Sequence, residues 1–307
     1  MSNIIDGKKI AEVREKKLKE KIERLEFKPK VVSILIGDDP PSVLYTQIKQ
    51  KKAEELGITF EAIKLPEDVS FYQISQLIIS LNEDKSVDGI MMQLPLPKNF
   101  LASHKTSELL ELIKKEKDVD GLTQDSPFLT AAVEAVLTIL EEEKIEVKAK
   151  YVVMVGASEL IGLPIANELK KRGAMVKICD SQTPDIKVFT EKADILVSAT
   201  GTPHLIKGDL VKTGVVVIDV GVMVISESVS EAPGSAVETS DGSKIGKAGR
   251  SVNTDNTDHT DTTVLGDVDF ESVAPKAFKI TPVPGGVGPI TVVSLMENVV
   301  KSAERRH

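Results

Sequence analysis

Cys179 is the only cysteine in the 307 residues, so no intramolecular disulfide framework can form and a reducing compartment suits the chain. Long hydrophobic runs are missing as well. The most apolar stretch, VVVIDVGVMVI at 215–225, is too short to span a bilayer and carries Asp219. The first residues, MSNIIDGKKIAEVREKKLKEKIERL, are charged and amphipathic, unlike a signal peptide or a membrane span. No run of lysine and arginine is long enough to make a nucleic-acid footprint, and the net charge is −8. These absences lead to the expectation of a cytoplasmic protein without nucleic-acid or membrane partners.

What is present is ordinary globular composition, 41% hydrophobic and 28% charged, in a chain long enough for two cores. Short apolar runs alternate with helical periodicity. VVSILIG (31–37), TFEAIKL (59–65) and DGIMMQL (88–94) read as strands, separated by helical patterns at 42–56 and 71–82. After a helical stretch at 129–145, YVVMVG (151–156), AMVKIC (174–179), ADILVSA (193–199) and VVVIDVG (215–221) follow as continuous apolar strands. Strands of that kind belong in parallel sheets covered on both faces. The fold class expected is therefore α/β, with two lobes and two parallel sheets. We place a first lobe at 1–125 and a second, Rossmann-like lobe at 126–283, with a C-terminal helix (284–307) packing back on the first.

Two segments break the alternation. Residues 226–263 are rich in Ser, Thr, Asp, Asn and Gly, too polar to bury a core, and read as a mobile surface loop. Their DNTDHTD lacks the spacing of a calcium or zinc site, so no metal is expected. TPVPGGVGPIT (281–291) instead holds Pro282, Pro284 and Pro289 among Gly285, Gly286 and Gly288. Prolines fix φ and glycines permit shapes other residues avoid, so this loop is shaped, either as a tight connector or as a binding wall.

VVMVGASELIGLPIANEL (152–169) leaves a strand and opens a helix, with Gly156 at the turn and Gly162 where helix meets sheet. Its spacing, G-x-S-x-x-x-G, departs from G-x-G-x-x-G, and Leu160 rules out a G-x-S-x-G elbow. Asp180 ends the next strand, where an acid that binds a ribose hydroxyl belongs. SATGTP (198–203) and DVGV (219–222) put small residues at the carboxyl ends of later strands, where ligands dock in open α/β sheets. Together these favour a dinucleotide. In the first lobe, Ser42 reads as an N-cap, and Tyr45 and Lys49 share a helix face four residues apart. Gln93 closes a buried strand before Pro95 and Pro97, and KDVDGL (117–122) sets Asp118 and Asp120 beside a turn glycine. A solvated helix face, a strand-closing polar residue and simple turn chemistry would account for each of these separately.

Their combination with the Pro/Gly loop resembles the bifunctional methylenetetrahydrofolate dehydrogenase/methenyltetrahydrofolate cyclohydrolases. The likeness runs through IIDGKKIA, the Tyr45–Lys49 helix, DGIMMQLPLP, KDVDGL, VGASELIGLP, ADILVSATGTP, VVVIDVG, GDVDF and ITPVPGGVGPIT, in that order. It implies that Lys49 is the central acid/base group, Tyr45 a substrate-positioning partner, Gln93 the group orienting Lys49, and Asp120 the holder of the pterin ring. Burial beside a cationic substrate would bring a lysine toward a useful base. It also implies that Pro284, Gly285 and Gly286 line the folate cleft. Cofactor contacts would come from Gly156, Ala157, Ser158, Ile161 and Gly162 at the first turn, and from Asp180 and Ser181 after the next strand. Thr200, Gly201, Val220, Gly221 and Gly288 would complete that set, and the likeness suggests a homodimer.

The chain departs from the family at three places. Ala157 stands where an arginine usually meets the 2′-phosphate of NADP, Asp180 where a histidine is common, and PFLT (127–130) follows a shortened stretch. The family habit is NADP, whereas Ala157 and Asp180 favour NAD. The expected activity is oxidation of 5,10-methylenetetrahydrofolate followed by hydrolysis to 10-formyltetrahydrofolate. A dehydrogenase without cyclohydrolase activity, or a non-catalytic dinucleotide-binding regulator, are the rivals.

Overall fold

The computed structural model describes residues 3–226, 237–238, 244–245 and 262–307. The first half runs α1 (Gly7–Ile22), β1 (Lys30–Ile36), α2 (Pro40–Leu56), β2 (Thr59–Leu65), α3 (Phe71–Glu83) and β3 (Gly89–Met92). Short helices α4 (Lys98–Leu101) and α5 (Thr106–Leu110) lead to α6 (Ala131–Glu142). The second half runs β4 (Tyr151–Val155), α7 (Gly162–Lys171), β5 (Met175–Cys179), α8 (Lys187–Thr190), β6 (Ile195–Ser198) and β7 (Val216–Asp219). Then come β8 (Met223–Ser226), β9 (Val237–Glu238), β10 (Lys244–Ile245), β11 (Thr262–Leu265), α9 (Phe270–Val273), β12 (Lys279–Ile280) and α10 (Val287–Arg306).

Two parallel sheets form, as the apolar runs require. One has the order β2-β1-β3, the other β12-β7-β6-β4-β5. Successive residues of β4 serve opposite faces: Val152 and Met154 enter one core, Val153 and Val155 another. The first of these cores is continuous from Val31 and Met91 of the first sheet, through Ile139 of α6 and Val293, Met296 and Val299 of α10, to Val152 and Val197 of the second. Helix α10 packs on α1 and α2 and equally along α6. Ser302 Oγ on α10 donates to Asp88 O at 2.6 Å and Glu116 O at 2.5 Å, fastening its far end to the first lobe. The N-terminal segment crosses the other way: Ile5 N donates to Ile280 O at 2.8 Å and Ile280 N to Asn3 O at 2.9 Å. Among the described residues, no helix is long and apolar enough to cross a membrane.

Two local expectations need correction. The N-cap of α2 is Asp39, not Ser42: Ser42 N and Ser42 Oγ donate to Asp39 Oδ2 at 3.1 and 2.7 Å. The reason is that Pro40 and Pro41, with φ preset and no N–H to satisfy, fit the first helical turn. The polar segment 226–263 is also not all loop. Its described ends continue an antiparallel ladder, β8 with β11, paired from Leu265 and Met223 out to Thr262 and Ser226. The β9/β10 pair is antiparallel too, and the rest of the segment lies outside the described residues.

Candidate active site

Tyr45 and Lys49 leave α2 one turn apart on the same face, and the lysine reaches the residue that follows β3. Lys49 Nζ donates to Gln93 Oε1 at 3.0 Å. The amide's other end is fixed as well, because Gln93 Nε2 donates to Leu94 O at 3.0 Å. Its backbone N–H donates to Ile34 O at 2.8 Å, so the residue continues the sheet ladder past β3. The amide therefore presents an acceptor, and only an acceptor, to the lysine. Burial pushes the Tyr45 phenol above its ordinary range.

The turn 117–122 treats its two acids differently. Asp118 is buried and spends its carboxylate on the turn, accepting from Leu122 N at 3.2 Å, Thr123 N at 2.9 Å and Thr123 Oγ1 at 2.8 Å. Asp120 has no hydrogen-bond partner among the described residues. It keeps a partly exposed edge, yet its carboxyl is desolvated by surrounding protein. That desolvation, against the pull of Lys49 and with Asp118 adding to the rise, pushes Asp120 up to about 6. Lys49, Gln93 and Asp120 thus form one neighbourhood at the carboxyl end of the first sheet, with the half-buried Tyr45 one helical turn before the lysine.

A second group gathers at the carboxyl ends of β4, β6 and β7. Gly156 has φ +103°, and a Cβ there would overlap Ala199 O; one on Gly162 would overlap Gly156 O. Ser158 Oγ accepts from Gly162 N at 3.2 Å, closing the turn into α7. Ala157 and the exposed Ile161 flank this turn. Among the described residues, no atom lies within 4 Å of a would-be Cβ on Gly201, at φ +68°, or on Gly288, so the backbone there is uncovered by them. A bare-backbone cradle beside a strand-to-helix turn suits a dinucleotide pyrophosphate. Asp180 and Ser181 follow β5 and are exposed. Asp180 Oδ1 accepts from Gln182 N at 3.0 Å and Thr183 Oγ1 at 3.1 Å, which turns that oxygen into its own loop.

The Pro/Gly loop is held at one end by the start of α1 and at the other by the end of β7. A Cβ on Gly7 would overlap the carbonyl of Gly286, and one on Gly285 (φ +102°) would lie 3.5 Å from the Lys8 side chain. At its other end Thr281 Oγ1 accepts from Asp219 N at 2.8 Å. Asp219 and Asp267, which sequence reasoning left without a role, are buried behind the second group. Asp219 accepts from Gly221 N at 3.1 Å, Asp267 N at 3.2 Å and Val268 N at 2.9 Å. Asp267 Oδ2 accepts from Ser198 Oγ at 2.7 Å and Thr200 N at 2.6 Å. Burial and then the Asp267 carboxylate push Asp219 up to about 7. An acid inside VVVIDVG and another in GDVD were the available signals; nothing local showed that they meet. A surface hollow of about 400 Å³ between α1, α6 and α10 lies apart from both groups and is rimmed by the Arg14–Glu134–Glu297 ion pairs.

The comparisons agree over the whole chain. Residues 5–120 match the catalytic domain, and residues 130–307 the NAD(P)-binding domain, of tetrahydrofolate dehydrogenase/cyclohydrolase. The bifunctional protein FolD of Lactobacillus acidophilus is 39% identical over 319 residues, covering 100% of this chain and 99% of that one. The bifunctional methylenetetrahydrofolate dehydrogenase/cyclohydrolase structure from Campylobacter jejuni is 34% identical, with a TM-score of 0.82 and 100% of each chain covered. The Trypanosoma brucei enzyme, solved with NADP and an inhibitor, is 30% identical with a TM-score of 0.83, over 99% of this chain and 98% of that one. Motif order, paired parallel sheets and these full-length likenesses converge, and the chain belongs to the tetrahydrofolate dehydrogenase/cyclohydrolase family.

Proposed function

We propose that this protein oxidises 5,10-methylenetetrahydrofolate to the methenyl form with a nicotinamide dinucleotide and hydrolyses that product to 10-formyltetrahydrofolate. The observation that carries the reading is the Lys49 Nζ–Gln93 Oε1 contact at 3.0 Å beside the desolvated Asp120. Residues 1–125, completed by 284–307, hold the folate, and residues 126–283 hold the dinucleotide. When bound, the dinucleotide supplies the hydride acceptor. Asp120 accepts hydrogen bonds from the pterin edge, Tyr45 packs alongside, and Pro284, Gly285 and Gly286 form the wall. In the hydrolytic step, water adds to the electrophilic methenyl carbon. Lys49, as base, takes the proton released, with Gln93 holding the amine in line. It returns that proton to the departing ring nitrogen as the carbon–nitrogen bond opens and the carbinol hydroxyl gives its own proton to solvent, leaving the formyl carbonyl. Gly156, Ala157, Ser158, Ile161 and Gly162 bound the pyrophosphate side; Thr200, Gly201, Val220, Gly221 and Gly288 bound the nicotinamide side.

The cofactor is NAD. Ala157 brings no charge to a 2′-phosphate, and Asp180 sets a carboxylate where that phosphate would lie. The nearby lysines are otherwise engaged: Lys177 Nζ sits 4.4 Å above the Phe189 ring, and Lys187 Nζ is 4.0 Å from Asp209. The functional pair is a homodimer.

The test is to mix purified protein with methylenetetrahydrofolate and each dinucleotide while following methenyl and formyl products. Formation of both products with wild type, and loss of hydrolysis in Lys49→Met at intact fold and dinucleotide binding, is the expected result. Near-normal hydrolysis by Lys49→Met would overturn the role of the lysine. A higher kcat/KM with NADP than with NAD would overturn the cofactor assignment.

A further inference from the structure

Two buried acids placed next to each other are costly unless something requires them. Asp219 and Asp267 are 2% and 1% exposed, and neither belongs to the folate chemistry. Three donors reach Asp219 and two reach Asp267. They come from three segments that border the dinucleotide side: Ser198 at the end of β6 with Thr200 just beyond it, Gly221 after β7, and the turn 266–268 after β11. A fourth segment is attached through the backbone, since Asp219 N donates to Thr281 Oγ1 at the start of the Pro/Gly loop. Both glycines beside the acids are explained by them. A Cβ on Gly221 would overlap the Asp267 carboxyl, and one on Gly266 would overlap Asp219 Oδ2. Asp267 Oδ1, buried against Gly221, has no hydrogen-bond partner among the described residues.

We propose that Asp219 and Asp267 are positioning residues for the dinucleotide. Together they clasp the loops that form its floor, so that dinucleotide affinity depends on the pair while folate affinity does not. The inference rests on the dinucleotide site assigned above. Thr200 and Gly221, which the clasp holds by their N–H groups, are themselves residues of that site. Neither acid touches the ligand; each acts through the backbone it fixes.

The two acids predict different responses to the same change. In Asp267→Asn the remaining carbonyl oxygen can still accept from Ser198 and Thr200, and the amide replaces the partnerless oxygen. In Asp219→Asn an amide N–H must face a backbone N–H, because both oxygens of Asp219 already accept. Binding of NAD and NADP by titration calorimetry, together with folate KM, separates these cases. Asp219→Asn and Asp267→Ala should each raise dinucleotide Kd by about tenfold, as expected for loss of buried charge-assisted bonds. Asp267→Asn should stay within about threefold of wild type, and folate KM within about twofold throughout. Should Asp219→Asn fail to fold, Ser198→Ala removes one bond of the same clasp and should raise Kd by about threefold. Unchanged Kd in folded Asp267→Ala and Ser198→Ala would overturn the proposal. So would equal loss of folate and dinucleotide binding, or Asp267→Asn as damaging as Asp267→Ala. Wild type binding neither dinucleotide would instead defeat the functional reading itself.

Discussion

Lys49 has its acceptor because two elements bring one to it: α2 supplies the amine and the residue after β3 supplies Gln93 Oε1. Gln93→Ala should therefore slow hydrolysis by about ten- to a hundredfold with folate binding retained, since it misaligns the lysine and forfeits part of the roughly 10²–10⁴-fold that a general acid–base step contributes; an unchanged rate removes Gln93 from the site. Asp120 makes a prediction about pH. Its pKa rises from 3.8 to about 6 on folding, so the native state binds the proton more tightly. The stability this provides is full below about pH 4 and is lost as pH rises through about 6, at most ~3 kcal/mol. Asp120→Asn should flatten the difference in Tm between pH 5 and pH 8 and raise folate KM. A variant with the wild-type pH dependence of Tm would show that another group titrates. In the sequence Asp118 and Asp120 look equivalent. The fold separates them, because Thr123 and Leu122 turn back onto the first and no described group donates to the second.

At the scale of elements, periodicity was legible wherever burial was two-sided. β1, β4, β6 and β7 stand close to where their apolar runs lie, and α3 opens on a capping box at Ser70 and Gln73. Termini were less legible. The sequence alone points to Ser42 as the cap of α2, whereas Pro40 and Pro41 occupy the first turn and leave Asp39 as the cap. Asp39→Ala should cost about 1 kcal/mol in chemical denaturation, and Ser42→Ala less, since Ser42 donates rather than caps. The β8/β11 ladder was hidden because its outer residues are as polar as the loop they join. That ladder also makes the 226–263 segment replaceable. Ser226 and Thr262 are cross-strand partners, at most about 5.5 Å apart at Cα, so a short Gly-containing turn can bridge them. Both activities should survive the replacement. Loss of activity at intact fold would mean that the segment reaches the cleft.

For the whole molecule, the sequence showed two α/β lobes but not how they share a core. The apolar face of α6 reads the same whether it serves one sheet or both, and only the packing shows α10 lying along it. The pairing of Asp219 with Asp267, 48 residues on, was illegible for the same reason. Arg14 joins three helices of this shared core: it donates to Thr138 Oγ1 on α6 and to Glu297 on α10 at 2.9 Å, with Glu134 at 3.6 Å. Arg14→Met leaves two acids facing a partly buried seam and should cost roughly 2–3 kcal/mol in urea unfolding, with the m-value unchanged. A loss under 0.5 kcal/mol would mean that solvent screens the seam.

The closing of α10 over α1 also sets a timetable for biosynthesis. Arg14 and Glu297 are 283 residues apart. A ribosome working at ~5–20 residues per second delivers the second roughly 15–60 s after the first. Through that interval Leu18 and Ile22 of α1 lack the α10 partners they have in the finished core. The first lobe begins to emerge earliest and is completed last. Nascent chains stalled before Val287 should therefore be cut by protease within the first lobe, while those released after Arg306 should resist.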